Sequence, residues 1–214
     1  KQILDKSPRH QEWVKIPNGS KTINAFLVYP EVSAKAPVIV MIHEIFGLTD
    51  WVRSMADDLA AQGYIVIAPD LLSGTGPNGG GSGAYPDQDA RVKAVSALDS
   101  DGVLSDLNAT ADYAKTLKAA SGKLAVVGFC WGGSKSFQFA TARHDLSAAF
   151  VFYGGQPSNL SAITAPVYGF YAGNDARITT TVPDTKKAME ALGKTYETVV
   201  YEGAGHGFMR AGED

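Results

Sequence analysis

Cysteine is the scarcest reactive residue in this chain: 214 residues contain one. A single thiol excludes an internal disulfide and argues against a cysteine-based zinc cluster. Long apolar runs are missing too. The longest, residues 37–42, has the length of a strand and falls far short of the roughly 18 residues that a spanning helix needs. No membrane is therefore expected as a partner. Basic charge is not in excess, with 19 Lys and Arg against 22 Asp and Glu and a net charge of −3. Without a basic stripe there is no electrostatic footprint for nucleic acid. Of the four histidines, only His43 precedes a glutamate, Glu44. A His-Glu-x-x-His zinc motif would need a second histidine at position 47, where Gly47 stands. Neither a metal nor another cofactor is expected.

What remains is an ordinary globular composition, 45% hydrophobic and 19% charged. A chain of this length buries roughly 70–75% of its unfolded surface and needs no staple, so residues 1–214 are read as one domain. Apolar and β-branched runs at 13–16, 23–29, 38–42, 64–68, 124–129, 149–153, 167–171 and 197–201 alternate with helical patterns. That alternation predicts an α/β fold, a mostly parallel central sheet with helices on both faces. The middle runs lack polar alternation, as strands covered on both sides do. The first two have polar interruptions and short spacing and read as an antiparallel edge. Asp50 is placed to cap a helix carrying Trp51, Met55 and Leu59 and ending at Gly63. Leu104, Leu107, Ala111, Ala114 and Leu117 mark one face of a long helix ending near Gly122. A third helix opens after Cys130, and a fourth covers about 184–193. The glycine-rich stretch 74–83 lacks the Gly-Lys-Ser/Thr of a phosphate loop. It reads as a flexible loop at the ligand edge of the sheet.

Taken alone, a cysteine is most often a small core hydrophobe. The surroundings of Cys130 reverse that. Gly128-Phe129-Cys130-Trp131-Gly132-Gly133 lies between a buried-strand pattern and a helical one, with Cys in the place of serine in a Gly-x-nucleophile-x-Gly elbow. Glycines two before and two after remove Cβ atoms that would collide in so sharp a turn. The sulfur then stands at a helix N-terminus, which favours an anion, and the Trp131 N–H is placed to donate to an oxyanion.

The base is expected at His206, in a glycine loop after the last strand, Gly203-Ala204-Gly205-His206-Gly207-Phe208. His144, beside Arg143 near a helix end, and His10, in a polar segment, read as surface residues. The acid should lie between nucleophile and base, after a strand. Asp175 fits, although Gly173-Asn174-Asp175 would otherwise read as turn chemistry. Asp70 precedes the nucleophile, and Asp184 looks like a helix cap. The order Cys, Asp, His is that of the α/β-hydrolase fold. In that fold the loop after the 38–42 strand supplies a second oxyanion donor, assigned here to the N–H of Ile45. Glu44 beside a thiolate would disfavour the anion, so it takes part in proton transfer or points elsewhere.

These motifs together resemble the dienelactone hydrolase (carboxymethylenebutenolidase-like) family from Trp13 to Arg210. Glu44-Ile45-Phe46-Gly47, the Cys130 elbow and Ala204-Gly205-His206-Gly207-Phe208 carry the resemblance. It implies a Cys130–Asp175–His206 triad that hydrolyses a small ester or lactone through a thioester. It also implies that Glu44 contacts the resting thiol and takes its proton as substrate arrives. Two family arginines hold a substrate carboxylate; one falls on Arg210, the other on Lys93, or on Arg91 in a slightly different alignment. Phe46 and Tyr153 are further substrate-binding candidates. Lys93 cannot reproduce bidentate guanidinium recognition, and Trp131 is bulkier than the leucine of the bacterial prototype. The family fold closes with a helix after the histidine, so a longer natural chain is expected. The start Lys6-Ser7-Pro8-Arg9-His10 is similar to relatives with a signal peptide, and Lys1 is no initiator. Export follows, with the cytoplasm as the alternative. The oligomeric state is not legible, and a monomer is the default. Two other readings stay open: an amidotransferase-like cysteine hydrolase, disfavoured because Phe208 stands where a glutamate is needed, and a catalytically silent binding module.

Overall fold

The computed structural model describes residues 2–211. Lys1 and residues 212–214 lie outside the described residues, and so do the expectations about a preceding segment and a closing helix. The chain divides into two compact units, Lys1–Leu124 and Ala125–Asp214.

The first unit opens with α1 (Gln2–Asp5), β1 (His10–Asn18) and β2 (Lys21–Tyr29), then β3 (Ala36–Ile42), α2 (Asp50–Ala61) and β4 (Ile65–Pro69). Helices α3 (Gln88–Ser96) and α4 (Ser100–Lys115) follow. β1 and β2 pair antiparallel, as their polar interruptions suggested, and β2 joins β4 antiparallel while β3 and β4 run parallel. In β1 only Val14 and Ile16 are buried, the alternation of an edge with one wet face. All five residues of β4 are buried, each large side chain adding about 1.5–3 kcal/mol of burial.

The cap of α2 needs correction. Thr49, not Asp50, caps α2, its side chain accepting from the Val52 N–H. The buried residues of α2 are Val52, Ser54, Ala56, Asp57 and Ala60; Trp51, Met55 and Leu59 are half-buried. Helix α3, capped by Asp87, has no apolar stripe and was not foreseen. The 74–83 stretch is tied down by two short 3₁₀ turns, Pro77–Gly79 and Ser82–Ala84, and by a bond from the Gly76 N–H to the Gly80 carbonyl, 2.9 Å.

β5 (Ala120–Phe129) leads into the second unit, which holds α5 (Trp131–Ala142), β6 (Ala148–Phe152), β7 (Val167–Ala172), α6 (Ala176–Thr179), α7 (Val182–Ala191) and β8 (Tyr196–Tyr201). Residues 125–129 of β5 pair with β6, β6 with β7 and β7 with β8, all parallel. Their C-terminal ends therefore fall along one edge, where loops can gather side chains from several strands.

Candidate active site

Cys130 sits between β5 and α5 with φ 57° and ψ −119°. A non-glycine residue rarely takes a positive φ, so its surroundings must enforce it. A Cβ at Gly128 would lie 1.9 Å from the Gly132 carbonyl oxygen, and one at Gly133 would lie 2.4 Å from that of Phe152. Strand end, turn and helix start are thus in backbone contact. The Cys130 N–H donates to the Phe152 carbonyl at 3.0 Å, and the Cys130 carbonyl accepts from Ser134 at 3.2 Å. Cys130 occupies the N-cap position of α5 without a side-chain capping bond, which leaves the sulfur to other partners. Trp131 is the first residue of α5, where N–H groups have no carbonyl inside the helix.

The sulfur's partner is His206. Its Nε2 lies 3.1 Å from Cys130 Sγ, and its Nδ1 lies 2.5 Å from Asp175 Oδ2. The three residues therefore form one hydrogen-bonded line. Asp175 is 8% exposed and begins α6 without capping it, so its carboxylate is spent on the imidazole. The loops that carry acid and base are stitched together. Gly173 N–H donates to the Tyr201 carbonyl at 2.9 Å, and Asn174 N–H to the Ala204 carbonyl at 2.9 Å. The Asn174 side-chain amide donates to the Gly203 carbonyl at 3.0 Å. The Asn-Asp pair that read as turn chemistry is thus a turn as well as an acid. The His206 imidazole is pushed up to about 8, first by its hydrogen bond to Cys130, then by Asp175, against the opposing effect of burial.

Tyr153, at φ 40°, packs edge-on to His206 and to Phe208, each at 5.1 Å between ring centroids. Arg210 folds back on Gly207: its N–H donates to the Gly207 carbonyl at 2.9 Å, and a Cβ at Gly207 would lie 2.9 Å from Nη2.

The remaining candidates belong to the first unit. Glu44 is buried, 1% exposed, and bridges to Gly47 just after β3; Ile45 and Phe46 are half-buried. Lys93 is exposed in the last turn of α3. Arg91 is half-buried and lines a cavity of about 250 Å³ with Phe46, Leu48, Thr49, Ser82 and Gly83. Its Nε is buried and makes no hydrogen bond. Sequence reasoning missed Asp70 and Ser82, both buried; a polar residue at a strand end and a serine among glycines were the only signals. Among the described residues no group of three or more His, Cys, Asp or Glu could hold a metal ion, and no helix is long and apolar enough to cross a membrane.

Mostly parallel strands flanked by helices, with a strand–turn–helix elbow ahead of an acid and a histidine, define an α/β-hydrolase. Residues 23–214 match the dienelactone hydrolase family, and the chain belongs to it: a hydrolase of esters or lactones. A Methylorubrum extorquens protein provisionally named a carboxymethylenebutenolidase is 34% identical over 209 residues, 91% of this chain and 71% of that protein. A Klebsiella pneumoniae protein, provisionally a dienelactone hydrolase, has a crystal structure that is similar at TM-score 0.82 and 30% identity, covering 94% of this chain and 88% of that one. A dienelactone hydrolase-like promiscuous phosphotriesterase from metagenomic libraries shares the fold at TM-score 0.82 and 20% identity, covering 96% and 87%.

Proposed function

We propose that the chain hydrolyses its ester or lactone through a thioester on Cys130, with His206 moving protons and Asp175 orienting it. One observation carries the reading: His206 faces the sulfur with one ring nitrogen and a buried carboxylate with the other, at 3.1 and 2.5 Å. A carboxylate on Nδ1–H fixes the tautomer and favours the imidazolium.

The thiolate attacks the carbonyl carbon, and the Trp131 N–H, with that of Ile45, holds the oxyanion. Collapse breaks the C–O bond of the ester, and the imidazolium gives its proton to the departing oxygen. Neutral His206 then takes a proton from water as the hydroxide adds to the thioester. The second collapse expels the thiolate and leaves the imidazolium beside it, so the enzyme returns to its starting charge. Glu44 keeps the part that the resemblance gives it, acceptor of the resting thiol's proton.

For a carboxylate on the substrate the candidates are Arg91, Lys93 and Arg210. Arg91 has the best chemistry, because a half-buried guanidinium with an unbonded Nε is set to gain charge-assisted hydrogen bonds. Phe46 and Tyr153 offer apolar walls. A panel of esters and lactones with and without a carboxylate separates these contributions. Arg91→Ala should raise KM for the carboxylate-bearing members alone. Cys130→Ala should lower kcat on the order of 10⁴–10⁶-fold; full activity on an activated ester would end the thioester reading.

A further inference from the structure

The segment Glu44–Leu48 is held from both ends by two adjacent residues. At its start the buried His43 ring bridges two backbones: Nδ1–H donates to the Glu44 carbonyl at 2.8 Å, and Nε2 accepts from the Leu71 N–H at 3.3 Å. At its end the Leu48 N–H donates to Ser82 Oγ at 2.9 Å, and that hydroxyl donates to Asp70 Oδ1 at 2.7 Å. The Ser82 N–H fills Asp70 Oδ2 at 2.7 Å, and the Leu72 N–H reaches Oδ1 at 3.1 Å. Both tethers therefore end on Asp70-Leu71, at the C-terminal end of β4.

Space is as restrictive as hydrogen bonding. A Cβ at Gly47, whose φ is +77°, would lie 2.5 Å from Ser82 Oγ, and one at Gly81 would lie 2.3 Å from Asp70 Oδ2. Asp70 is 6% exposed and Ser82 4%. At these positions a carboxylate with three donors and a hydroxyl that both gives and accepts cannot exchange partners with water.

We infer that Asp70 and Ser82 are positioning residues for the hydrolase, a clasp that fixes the Glu44–Leu48 segment and with it one wall of the Arg91 cavity. For turnover this rests on the parts proposed above for Glu44 and the Ile45 N–H. The glycine-rich stretch, read from sequence as a flexible loop, has a more specific task in that case: it delivers Ser82 to the clasp. An oxyanion donor displaced by about 1 Å can cost 10²-fold in rate, and a segment held at both ends resists that displacement.

The test uses Ser82→Ala and Asp70→Asn beside Cys130→Ala, assayed on one neutral activated ester. An amide at position 70 keeps the shape but cannot accept on both sides. The expected result is a kcat lowered about 10- to 100-fold with KM nearly unchanged. Complete alkylation of Cys130 by iodoacetamide, one label per chain, should show that the elbow and its sulfur are intact in the variants. Should Ser82→Ala fail to fold, the kcat of Asp70→Asn decides. Wild-type kcat in the clasp variants beside an inactive Cys130→Ala would overturn the clasp alone. An active Cys130→Ala would instead overturn the thioester reading on which it rests.

Discussion

His43 and His206 show how partner chemistry, rather than residue type, divides the labour between the two units. His43 is fully buried, and its ring bonds to two backbone groups, the Glu44 carbonyl and the Leu71 N–H. Those partners fit only the neutral ring protonated at Nδ1. Burial pushes its pKa down, with Asp70 pulling the other way. His206 keeps 31% of its side chain exposed and bonds to the Cys130 sulfur and the Asp175 carboxylate, acceptors that favour the cation, so its pKa rises to about 8. A ring locked between dipoles is scaffold. A ring between two acids can take a proton and give it back.

The sharpest way to break this contrast is to neutralise the acid. Asp175→Asn replaces an acceptor at 2.5 Å from His206 Nδ1 with an amide that can stabilise the wrong tautomer. A loss of about 10⁴-fold in kcat is expected, with the melting temperature close to that of the parent. Steady-state rates on an activated ester check it; a loss of under tenfold would mean that Asp175 is a turn residue only.

Next in size is an effect on the fold itself. Gly128→Ala would set a methyl group 1.9 Å from the Gly132 carbonyl oxygen, backbone against backbone. No rotamer can relieve that, so the elbow must open. We expect a loss of about 3 kcal/mol or more, read by urea unfolding, together with activity. Glycines that face open space offer the control: nothing lies within 4 Å of a Cβ at Gly83. Gly83→Ala should therefore stay within about 0.5 kcal/mol of the parent.

The two units also differ in how much of them could be read in advance. That Cys130, His206 and Asp175 would come together was legible because steric demands leave glycines at fixed offsets, and because chain order narrows the choice of acid and base. The clasp was not. Ser82 bonds to residues 12 and 34 positions away, and no local period encodes such partners. Asp70 was set aside because it precedes the nucleophile, which removes it from the triad but not from the site. Helix α2 shows a subtler failure. Thr49 and Asp50 are both capping types, and only backbone geometry chooses between them. The period of its large side chains picks out Trp51, Met55 and Leu59, which are only half-buried, whereas the buried positions are Val52, Ser54, Ala56, Asp57 and Ala60. The strand pattern survived because burial on both faces leaves an unbroken apolar run whatever the register.

The smallest expected effect is on pH-dependent stability, and the two histidines should move it in opposite directions. A folded-state pKa above the ordinary 6.5 means that the native protein holds the proton of His206 more tightly than the unfolded chain does. Its contribution is whole below pH 6.5 and disappears as pH rises through about 8. His43 has a lowered pKa, so the unfolded chain takes up its proton first and stability falls as pH drops below 6.5. Urea unfolding from pH 5 to 9 should therefore show the parent losing stability at both ends. In Cys130→Ala the hydrogen bond from the sulfur, the largest cause of the His206 shift, is gone, so the alkaline loss should shrink and the ring should titrate below 8 by NMR. The acid-side loss should persist, because the Glu44 and Leu71 backbone partners of His43 are untouched by the substitution. If removal of the sulfur left the alkaline limb and the His206 titration as they were, the imidazole would owe its proton to Asp175 alone, and the sulfur would have no part in setting its basicity.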